Sequence, residues 1–509
     1  MEWGLRLPQS ALHSMSRVGW EGGFGGYASG MHGGSALDAL VAELRTALVP
    51  GRVLNSAAEK ALYAKDGSAT TPSAPAVVCL PVSAAEVQAC IRIARAHGRA
   101  ITPRGSGTGL AGGAIPLDEP VVITTTKMNK VLEVNAGERY AWVEPGVLNL
   151  DLTKMVSAHG IHYAPDPSSQ QSCSIGGNIA TNAGGPHCLL HGTTSAHVLA
   201  VEVALPSGEL VMLGGLEPDP VGLDLRGAFV GSEGTMGVAT RIAVRLMADP
   251  PAVVTMLASF ATIAAASDAV SAIIAAGLLP AALEMMDANC IKAVERFAHA
   301  GLPEDAGAVL LVEVEGLSAG IRGAAVLIDR VCRDHGATSV RTAADAVERA
   351  LLWKARKSAF GAIASIKPNY YLHDAVVPRT RLTEVMQRVV EIADECDLIV
   401  LNVFHAGDGN LHPLLVFDRR EPGVMERVER AGHAIIELCL SVGGVLSGEH
   451  GIGIEKRDYM GLMFSDEDLR HQDLLRQSFD PTAMCNPHKV LPAGSRCGEL
   501  HNVPEGAWI

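Results

Sequence analysis

Three features are missing from this sequence of 509 residues: paired cysteines, an excess of basic residues and a long uninterrupted apolar run. The ten cysteines include no C-x-x-C pair, which argues against an iron–sulfur cluster or a cysteine-based zinc site and suits free thiols in a reducing compartment. The net charge of −14 argues against a nucleic-acid-binding surface, because such a surface requires clustered Lys and Arg. The longest apolar stretch, residues 263–283, contains Asp268 and Pro280, so it predicts a packed helix and not a membrane span.

The length and composition predict a globular chain with more than one domain. An apolar fraction of 48% and a charged fraction of 19% are typical of folded proteins. Residues 1–35 are rich in glycine and have neither helical periodicity nor the charged start of a secretory signal. We expect them to be a disordered extension or the result of a start codon assigned too early, with Met31 as the alternative start. Residues 494–509 are expected to form a tail.

Hydrophobic periodicity predicts an α+β protein in two parts that divide at Asp249-Pro-Pro251. In the first part, residues 36–249, the pattern predicts a β-α-β unit followed by further strands. In the second part, residues 250–493, strands alternate with helices, which predicts an antiparallel sheet with helices on one face. The stretch from His159 to Gly192 has almost no periodicity and is rich in glycine, so we expect irregular backbone wrapped around a ligand.

A glycine-rich segment in the first part, Gly107-Thr-Gly-Leu-Ala-Gly112, matches the G-x-G-x-x-G motif of dinucleotide-binding folds. In those folds the motif opens a helix, but Pro116 and Pro120 leave no room for a helix before the predicted strand Val121–Thr125. The sequence therefore predicts a strand–loop–strand unit. Its backbone N–H groups and two hydroxyl groups could cradle a pyrophosphate, and a plain surface loop is the alternative.

Histidines and a glutamate recur at two glycine-bounded points in the second part, H-A-G-D-G-N-L-H from His405 to His412 and S-G-E-H-G around Glu449 and His450. Apolar strands flank the first motif, so a hairpin would bring its two imidazoles together. With Glu449 they form a ligand set that suits zinc and leaves a position open for substrate or water. His450 is a candidate general base, and a role in orienting Glu449 is the alternative.

The chain resembles the FAD-linked oxidoreductases of the vanillyl-alcohol-oxidase type, and in particular the glycolate oxidase FAD subunit and the D-lactate and D-2-hydroxyglutarate dehydrogenases. The segments Pro103–Ala114, Asp166–Gly185 and Val230–Gly237 and the two histidine motifs carry this resemblance, which spans residues 36–493. It implies a two-part FAD-binding domain, a ferredoxin-like substrate or cap domain, a C-terminal helical segment that contacts the flavin, and non-covalent FAD. The residues implied to contact FAD are Arg104, Gly105, Ser106, Gly107, Thr108, Gly109, Ser174, Gly176, Gly177, Asn178, Thr181, Gly184, Gly185, Glu233, Gly237, Val238 and Asn486.

The resemblance implies oxidation of a small 2-hydroxy acid to the 2-oxo acid by hydride transfer to the flavin N5, with a metal that polarises the substrate. The W-x-x-R pattern implies that Arg356 binds the substrate carboxylate, whereas Lys354 and Lys357 are expected on a solvated helix face. Leu372 and Leu414 stand where hydroxyglutarate-type relatives have polar partners for a second carboxylate, which favours glycolate or D-lactate.

The absence of a cluster motif means that electrons must leave to another molecule. The resemblance implies flavin-type and iron–sulfur partner subunits, with a quinone or another acceptor beyond them. It also implies a cytoplasmic protein that is peripheral to the inner membrane through its partners. The alternatives are a D-2-hydroxyglutarate-type dehydrogenase, an ether-lipid synthase of the same fold, a zinc hydrolase without flavin, and an electron-transfer subunit with little activity of its own.

Overall fold

The computed structural model describes residues 33–217 and 221–492. The predicted tail at 494–509 and nearly all of the predicted N-terminal extension, including Met31, therefore lie outside the described residues. Within those two ranges, no helix combines the length and the apolar character needed to cross a membrane. The apolar stretch that begins at residue 263 forms a helix and then enters a buried strand.

The first sheet combines short strands from the start of the described chain, with three strands parallel to one another. Its strand order is β1-β2-β4-β3, and apolar side chains of α1 and α3 such as Leu44 and Ile91 are buried against it. The Oγ atom of Ser83 accepts the N–H of Glu86 and caps α3. The elements are α1 (Gly33–Ala47), β1 (Val53–Leu54), α2 (Ala57–Ala61), β2 (Val77–Cys79), α3 (Ala84–Ala96), β3 (Ile101–Arg104) and β4 (Val121–Thr124).

The second sheet is antiparallel and has the order β5-β6-β10-β8-β9. The segment that the sequence predicts to be irregular, 159–192, in fact contains a short strand and two short helices. These elements are too short for hydrophobic periodicity to reveal them. The elements are β5 (Val131–Asn135), β6 (Tyr140–Val143), α4 (Asn149–Val156), β7 (Ile161–His162), α5 (Ile175–Thr181), α6 (Cys188–His191), β8 (Val198–Ala204), β9 (Leu210–Gly214), α7 (Leu225–Phe229), β10 (Val238–Arg245) and β11 (Met247–Ala248), of which β7 pairs with β11.

The third sheet is the largest and is antiparallel, and the strands β15-β12-β14-β13 at one side have the order of a ferredoxin-like sheet. The sheet continues through β18 to β19 and β17, and β20 pairs with β18 and β16. Its elements are β12 (Ala252–Phe260), α8 (Ile263–Ala275), β13 (Ala282–Asp287), α9 (Ala288–Ala298), β14 (Ala308–Gly316), α10 (Ser318–Asp334), β15 (Ala337–Thr342), α11 (Ala346–Lys357), α12 (Ala359–Ile363), β16 (Asn369–Leu372), β17 (Ala375–Val376), α13 (Leu382–Glu395), β18 (Ile399–His405), β19 (Asn410–Leu411), β20 (Pro413–Phe417), α14 (Val424–Ser441), α15 (Met460–Met463) and α16 (Asp466–Phe479).

Helices cover both faces of this third sheet, so the prediction of helices on one face is wrong. Residues of α8, α10, α13 and α14 share one core with alternate residues of the strands, such as Leu310 and Val312. Residues of α9, α11 and α12 share a second core with the intervening residues, such as Val309 and Leu311. A strand that is buried on both faces reads as a continuous apolar run, and the run Ala-Val-Leu-Leu-Val from Ala308 is the signal that identifies it.

The C-terminal segment returns to the first sheet after the third sheet is complete. The N–H of Ile101 in β3 donates to the Met484 carbonyl at 2.8 Å, and the N–H of Asn486 donates to the Ile101 carbonyl at 2.7 Å. The segment therefore lies beside β3 like an additional short strand. This return places residues 484–490 next to the glycine-rich loop that follows β3.

Candidate functional site

A cavity of about 390 Å³ lies where the loops of the three sheets meet. Its volume is within the range of small-molecule and cofactor sites. All of the residues predicted to contact FAD line it except Gly185 and Asn486. His412, Glu449 and His450 line the same cavity, so the two motif groups of the sequence share one site. Arg356 and His405 do not line it.

The loop between β3 and β4 contains no helix, as the two prolines predict. Arg104 braces this loop, because its Nη1 donates to the Ala114 carbonyl at 3.1 Å and its Nη2 to the Lys65 carbonyl at 2.9 Å. At Gly107, with φ +74°, a Cβ atom would lie 2.1 Å from Arg104 Nη2. Glycine is therefore required there both by the backbone conformation and by the packing of the guanidinium.

The second predicted flavin segment packs directly on the glycine-rich loop. The Oγ atom of Ser174 caps α5 by accepting the N–H of Gly177 at 3.3 Å. A Cβ atom at Gly105 would lie 2.4 Å from this Oγ atom, so the two segments approach to a distance that only glycine permits. Gly105, Ser174 and Gly177 thus meet on one wall of the cavity.

The lining of the cavity fits a cofactor with polar and anionic groups. Ser232 lines it with a buried Oγ atom that has no hydrogen-bond partner among the described residues. At Gly109 the direction of a Cβ atom is open for at least 4 Å, so the backbone there is exposed to the cavity. Hydroxyl groups and glycine backbone of this kind are suited to hold a pyrophosphate.

The two histidines of the hairpin face one carboxylate. The Nε2 atom of His405, at the end of β18, lies 3.2 Å from Glu449 Oε1, and the Nε2 atom of His412 lies 3.3 Å from the same oxygen. Neither ring nitrogen of His412 has a hydrogen-bond partner among the described residues, although the ring is buried. Three candidate ligand atoms therefore lie within 4.8 Å of one another, as a shared cation would require.

Burial and charge act on these groups in opposite directions. Burial opposes the charged form of His405, but the carboxylates of Glu284 and Glu449 outweigh it and raise its pKa well above the usual value. Burial also opposes ionisation of Glu449, yet the nearby histidines lower its pKa to about 2. Burial lowers the pKa of His450 to about 4. An uncharged His450 ring therefore lies beside an ionised carboxylate.

The loop that carries Glu449 and His450 is organised by Asp374, which lies in the turn between β16 and β17. Its carboxylate accepts the Ser447 hydroxyl at 2.6 Å, the backbone N–H of His450 at 3.0 Å and the ammonium group of Lys456 at 2.9 Å. The N–H groups of Gly448 and Glu449 also point to it. The ring of His450 stacks on that of His412, with ring centroids 5.0 Å apart and an interplanar angle of 7°.

The two basic residues at the end of α11 differ from their predicted positions. Arg356 is almost completely buried, and its Nη2 atom lies 2.6 Å from Glu284 Oε2 in an ion pair. Lys357, which the sequence places on a solvated face, lines the cavity and lies 3.7 Å from Asp166. Lys354 is exposed, as predicted. The sequence from Ala344 to Ser365 predicts one helix, but the helix is interrupted at Ser358, so α11 and α12 are separate.

Sequence reasoning missed two acidic residues that hold the site together. Glu284 on β13 is the direct register partner of His405 on β18, and its Oε1 atom lies 2.7 Å from His405 Nδ1. A carboxylate in the buried strand Ala-Leu-Glu-Met-Met-Asp is the signal that could have identified Glu284. Asp374 follows the short, partly exposed strand β16 and has no comparable signal, because its partners are distant in the sequence.

Comparison with known proteins agrees with this geometry. Residues 75–214 match the family "FAD binding domain", and residues 249–490 match "FAD linked oxidases, C-terminal domain". The chain is 42% identical to glycolate oxidase subunit GlcD of Escherichia coli strain K12, over 89% of this chain and 91% of the relative. It is 31% identical to a probable mitochondrial D-lactate dehydrogenase of Danio rerio, over 90% of this chain and 92% of the relative.

Among solved structures, 4-ethylphenol oxidase from Gulosibacter chungangensis superimposes with a TM-score of 0.76 at 18% identity, over 90% of this chain and 97% of that one. This structural similarity and the match of residues 75–214 to an FAD-binding domain agree with the predicted vanillyl-alcohol-oxidase type of fold. The chain binds FAD through a domain of this kind. It therefore belongs to the family of FAD-linked oxidoreductases that includes glycolate oxidase subunit GlcD and the D-lactate dehydrogenases.

Proposed function

We propose that this protein is an FAD-dependent dehydrogenase that oxidises glycolate or D-lactate to the corresponding 2-oxo acid. One observation carries the proposal: the glycine segments suited to hold FAD and the residues His412, Glu449 and His450 line a single cavity. The names of the relatives, glycolate oxidase subunit and D-lactate dehydrogenase, support the substrate class. When bound, FAD would supply the acceptor for a hydride from substrate C2, and a divalent ion would supply positive charge next to the substrate oxygens.

The ligands proposed for the ion are His405, His412 and Glu449, a set that suits zinc. A second group, Asp374 with His412 and His450, has a similar spacing. Asp374 is the weaker candidate because a hydroxyl group, backbone N–H groups and the ammonium group of Lys456 already occupy its oxygens. Glu449, in contrast, directs one oxygen at both imidazoles.

His450 is the proposed base. Its ring lines the cavity and stacks on His412, so it lies beside the place where a substrate hydroxyl would meet the ion. Its Nδ1 atom lies 3.8 Å from Asp374, which can stabilise the imidazolium ion that forms when the ring takes the hydroxyl proton. The role of orienting Glu449 is less well supported, because the Nε2 atom of His450 lies 3.6 Å from that carboxylate.

Two buried leucines support a small substrate with one carboxylate, although neither of them lines the cavity. Leu372 and Leu414 are direct register partners on β16 and β20, and both are buried. An anionic group at that point would lose its hydration without gaining a partner. The substrate carboxylate itself needs a cation, and Arg356 remains the proposed one, with Nε and Nη1 atoms that lack hydrogen-bond partners among the described residues. Lys357, on the cavity wall, is the competing cation.

Arg356→Lys and Lys357→Gln separate these two cations. Arg356→Lys keeps a charge for Glu284 but removes the guanidinium fork, so it is expected to raise the apparent KM for glycolate about tenfold or more. The measurement is the dependence of flavin reduction on glycolate concentration. A raised KM in Lys357→Gln with an unchanged value in Arg356→Lys would transfer the carboxylate-binding role to Lys357.

The electrons are proposed to leave through flavin-type and iron–sulfur partner subunits to a quinone or another acceptor. Support comes from the word "subunit" in the name of the Escherichia coli relative and from the lack of a C-x-x-C pair in this chain. We infer a cytoplasmic location, with contact to the inner membrane through those partners.

The decisive experiment is anaerobic titration of the purified FAD-loaded protein with a panel of 2-hydroxy acids. We expect glycolate or D-lactate to bleach the flavin absorbance. Bleaching by D-2-hydroxyglutarate in preference to both would favour a hydroxyglutarate-type dehydrogenase. Persistent colour with every acid would favour the ether-lipid synthase, and a colourless protein with tightly bound zinc would favour a hydrolase.

A further inference from the structure

Glu233 lies between α7 and β10, and its buried side chain reaches the loop that follows His450. Its Oε1 atom accepts the N–H of Ile452 at 2.6 Å, and its Oε2 atom accepts the N–H of Gly453 at 2.9 Å. Each carboxylate oxygen therefore holds one of two successive amides. Burial raises the pKa of Glu233 to about 7, although both amides favour the ionised form. The geometry of two hydrogen bonds from successive amides restrains the loop.

The backbone of Glu233 is in the left-handed region, with φ +51°. This conformation is unfavourable for a residue with a Cβ atom and costs glycine almost nothing. A glycine would therefore suit the turn better than glutamate. Because the glutamate side chain forms two hydrogen bonds to the loop, its contribution lies in the contact and not in the turn.

The main chain of Glu233 is joined to the glycine-rich loop by a second contact. The Nδ2 atom of Asn486 donates to the Glu233 carbonyl at 2.7 Å and to the Gly113 carbonyl at 2.8 Å. In addition, the N–H of Ile454 donates to the Ala111 carbonyl at 2.9 Å. The glycine-rich loop, Glu233, the loop after His450 and the C-terminal segment thus form one junction.

We propose that Glu233 is a positioning residue that fixes the loop carrying Glu449 and His450 relative to the glycine-rich wall of the cavity. The expected effect on reaction rate rests on the function proposed above, whereas the contact itself does not. In this role the side chain acts on the protein loop, and because Glu233 also lines the cavity, the FAD contact predicted from the sequence remains a separate prediction. A displacement of about 1 Å in such a site can cost about 10²-fold in rate.

Two variants test the contact in different ways. Glu233→Gln keeps the size of the side chain but replaces one acceptor oxygen with an NH2 group, which faces a backbone N–H and cannot accept it. Glu233→Gly removes the contact and relieves the backbone strain, so it guards against a general loss of folding. If Glu233 served only the turn, Glu233→Gly would be neutral or stabilising.

Glu295 offers a matched control outside the lining of the cavity. Its carboxylate also accepts successive backbone N–H groups, those of Ala300, Gly301 and Leu302, each at 3.0 Å. Glu295→Gln disturbs the same kind of contact in a loop that does not line the cavity. It is expected to reduce amide protection at residues 300–302 and to leave flavin reduction unchanged.

Two readouts on the FAD-loaded protein decide the proposal. Hydrogen–deuterium exchange of peptides covering 450–456 is expected to become at least tenfold faster in both Glu233 variants. The rate constant of anaerobic flavin reduction by glycolate is expected to fall about 10- to 100-fold at saturating FAD.

Unchanged exchange in both variants would overturn the contact, whatever the activity of the protein. Faster exchange with wild-type reduction rates would overturn the positioning role. If none of the 2-hydroxy acids reduces the flavin of the wild-type protein, the proposed function fails. The exchange measurement still decides whether Glu233 holds the loop.

Discussion

At this site a single carboxylate determines which ring nitrogen of a histidine is free to bind a cation. Glu284 uses one oxygen for the Nδ1 atom of His405 and the other for Arg356. Such a contact sets which ring nitrogen is free to bind a cation, and it increases the basicity of that nitrogen. Glu284 therefore supports the proposed metal site through His405 without being one of the proposed ligands.

Glu284→Gln is expected to lower the affinity for zinc by 10- to 100-fold, because the amide can no longer hold His405 as a carboxylate does. The measurement is a competitive titration against a chelator. Glu315→Gln is the matched control. Glu315 lies on the adjacent strand β14, its Oε1 atom is 2.8 Å from His191 Nε2, and neither residue lines the cavity. Equal zinc affinities in the wild type and in Glu284→Gln would contradict the assignment.

His450→Gln is expected to slow flavin reduction by about 10²- to 10⁴-fold, the usual contribution of a general base. The FAD content of the variant should remain normal, and dithionite should still reduce its flavin. The measurement is anaerobic stopped-flow absorbance with glycolate. His433→Gln, on the exposed side of α14 where His433 pairs with Glu437, should behave like the wild type. A wild-type rate of flavin reduction in His450→Gln would contradict the role of His450 as the base.

Among the chain segments, the glycine-rich loop and the start of α5 behave as one unit because they pack backbone against backbone. A Cβ atom at residue 105 would meet the Ser174 Oγ atom at 2.4 Å. Rotating Ser174 away would relieve the collision but would remove the cap of α5, which is worth about 1 kcal/mol. Neither segment can change without the other.

Gly105→Ala is therefore expected to destabilise the protein by about 1 kcal/mol and to weaken FAD binding at least tenfold. The measurements are denaturant unfolding and flavin fluorescence titration. Gly361→Ala is the control, because Gly361 lies in α12 with open space where the alanine methyl group would lie, and this variant should gain up to about 1 kcal/mol. Unchanged FAD affinity in Gly105→Ala would show that the two segments are not coupled.

Across the whole chain, His187 links the two parts that the sequence predicts. Its Nδ1 atom lies 2.9 Å from Asp166, and its Nε2 atom lies 3.2 Å from Glu313 on β14. Burial opposes the charged ring, but the two carboxylates outweigh it and raise the pKa of His187 to about 10. A raised pKa means that this contact stabilises the fold fully below about pH 6.5 and that the stabilisation is lost as the pH rises towards 10.

His187→Gln is thus expected to lower the free energy of unfolding most at pH 6.5, by about 2–3 kcal/mol, and progressively less at pH 8 and pH 10. Urea titrations of both proteins at the three pH values measure this difference. His97→Gln removes an exposed pair with Glu43 within the first part and should cost less than about 1 kcal/mol. A difference that grows between pH 6.5 and 10 would contradict the pKa of His187.

The local features of the site could be read from the sequence. Pro116 and Pro120 exclude a helix after the glycine motif, and the structure has none there. The apolar segments on either side of the glycine turn predict the hairpin that brings His405 beside His412. In each case the deciding residues are close in sequence, so steric restriction and turn formation act without help from the rest of the chain.

Only the tertiary structure decided which distant residues complete the site. His405 and Glu284 are 121 positions apart and meet because β13 pairs with β18 in the third sheet. The same holds for Glu233, which reaches Ile452 across 219 positions, and for Lys357, whose place on the cavity wall depends on how α11 packs. Strand order and helix packing are set by the free energy of the whole chain, so they cannot be predicted from a local pattern of residues.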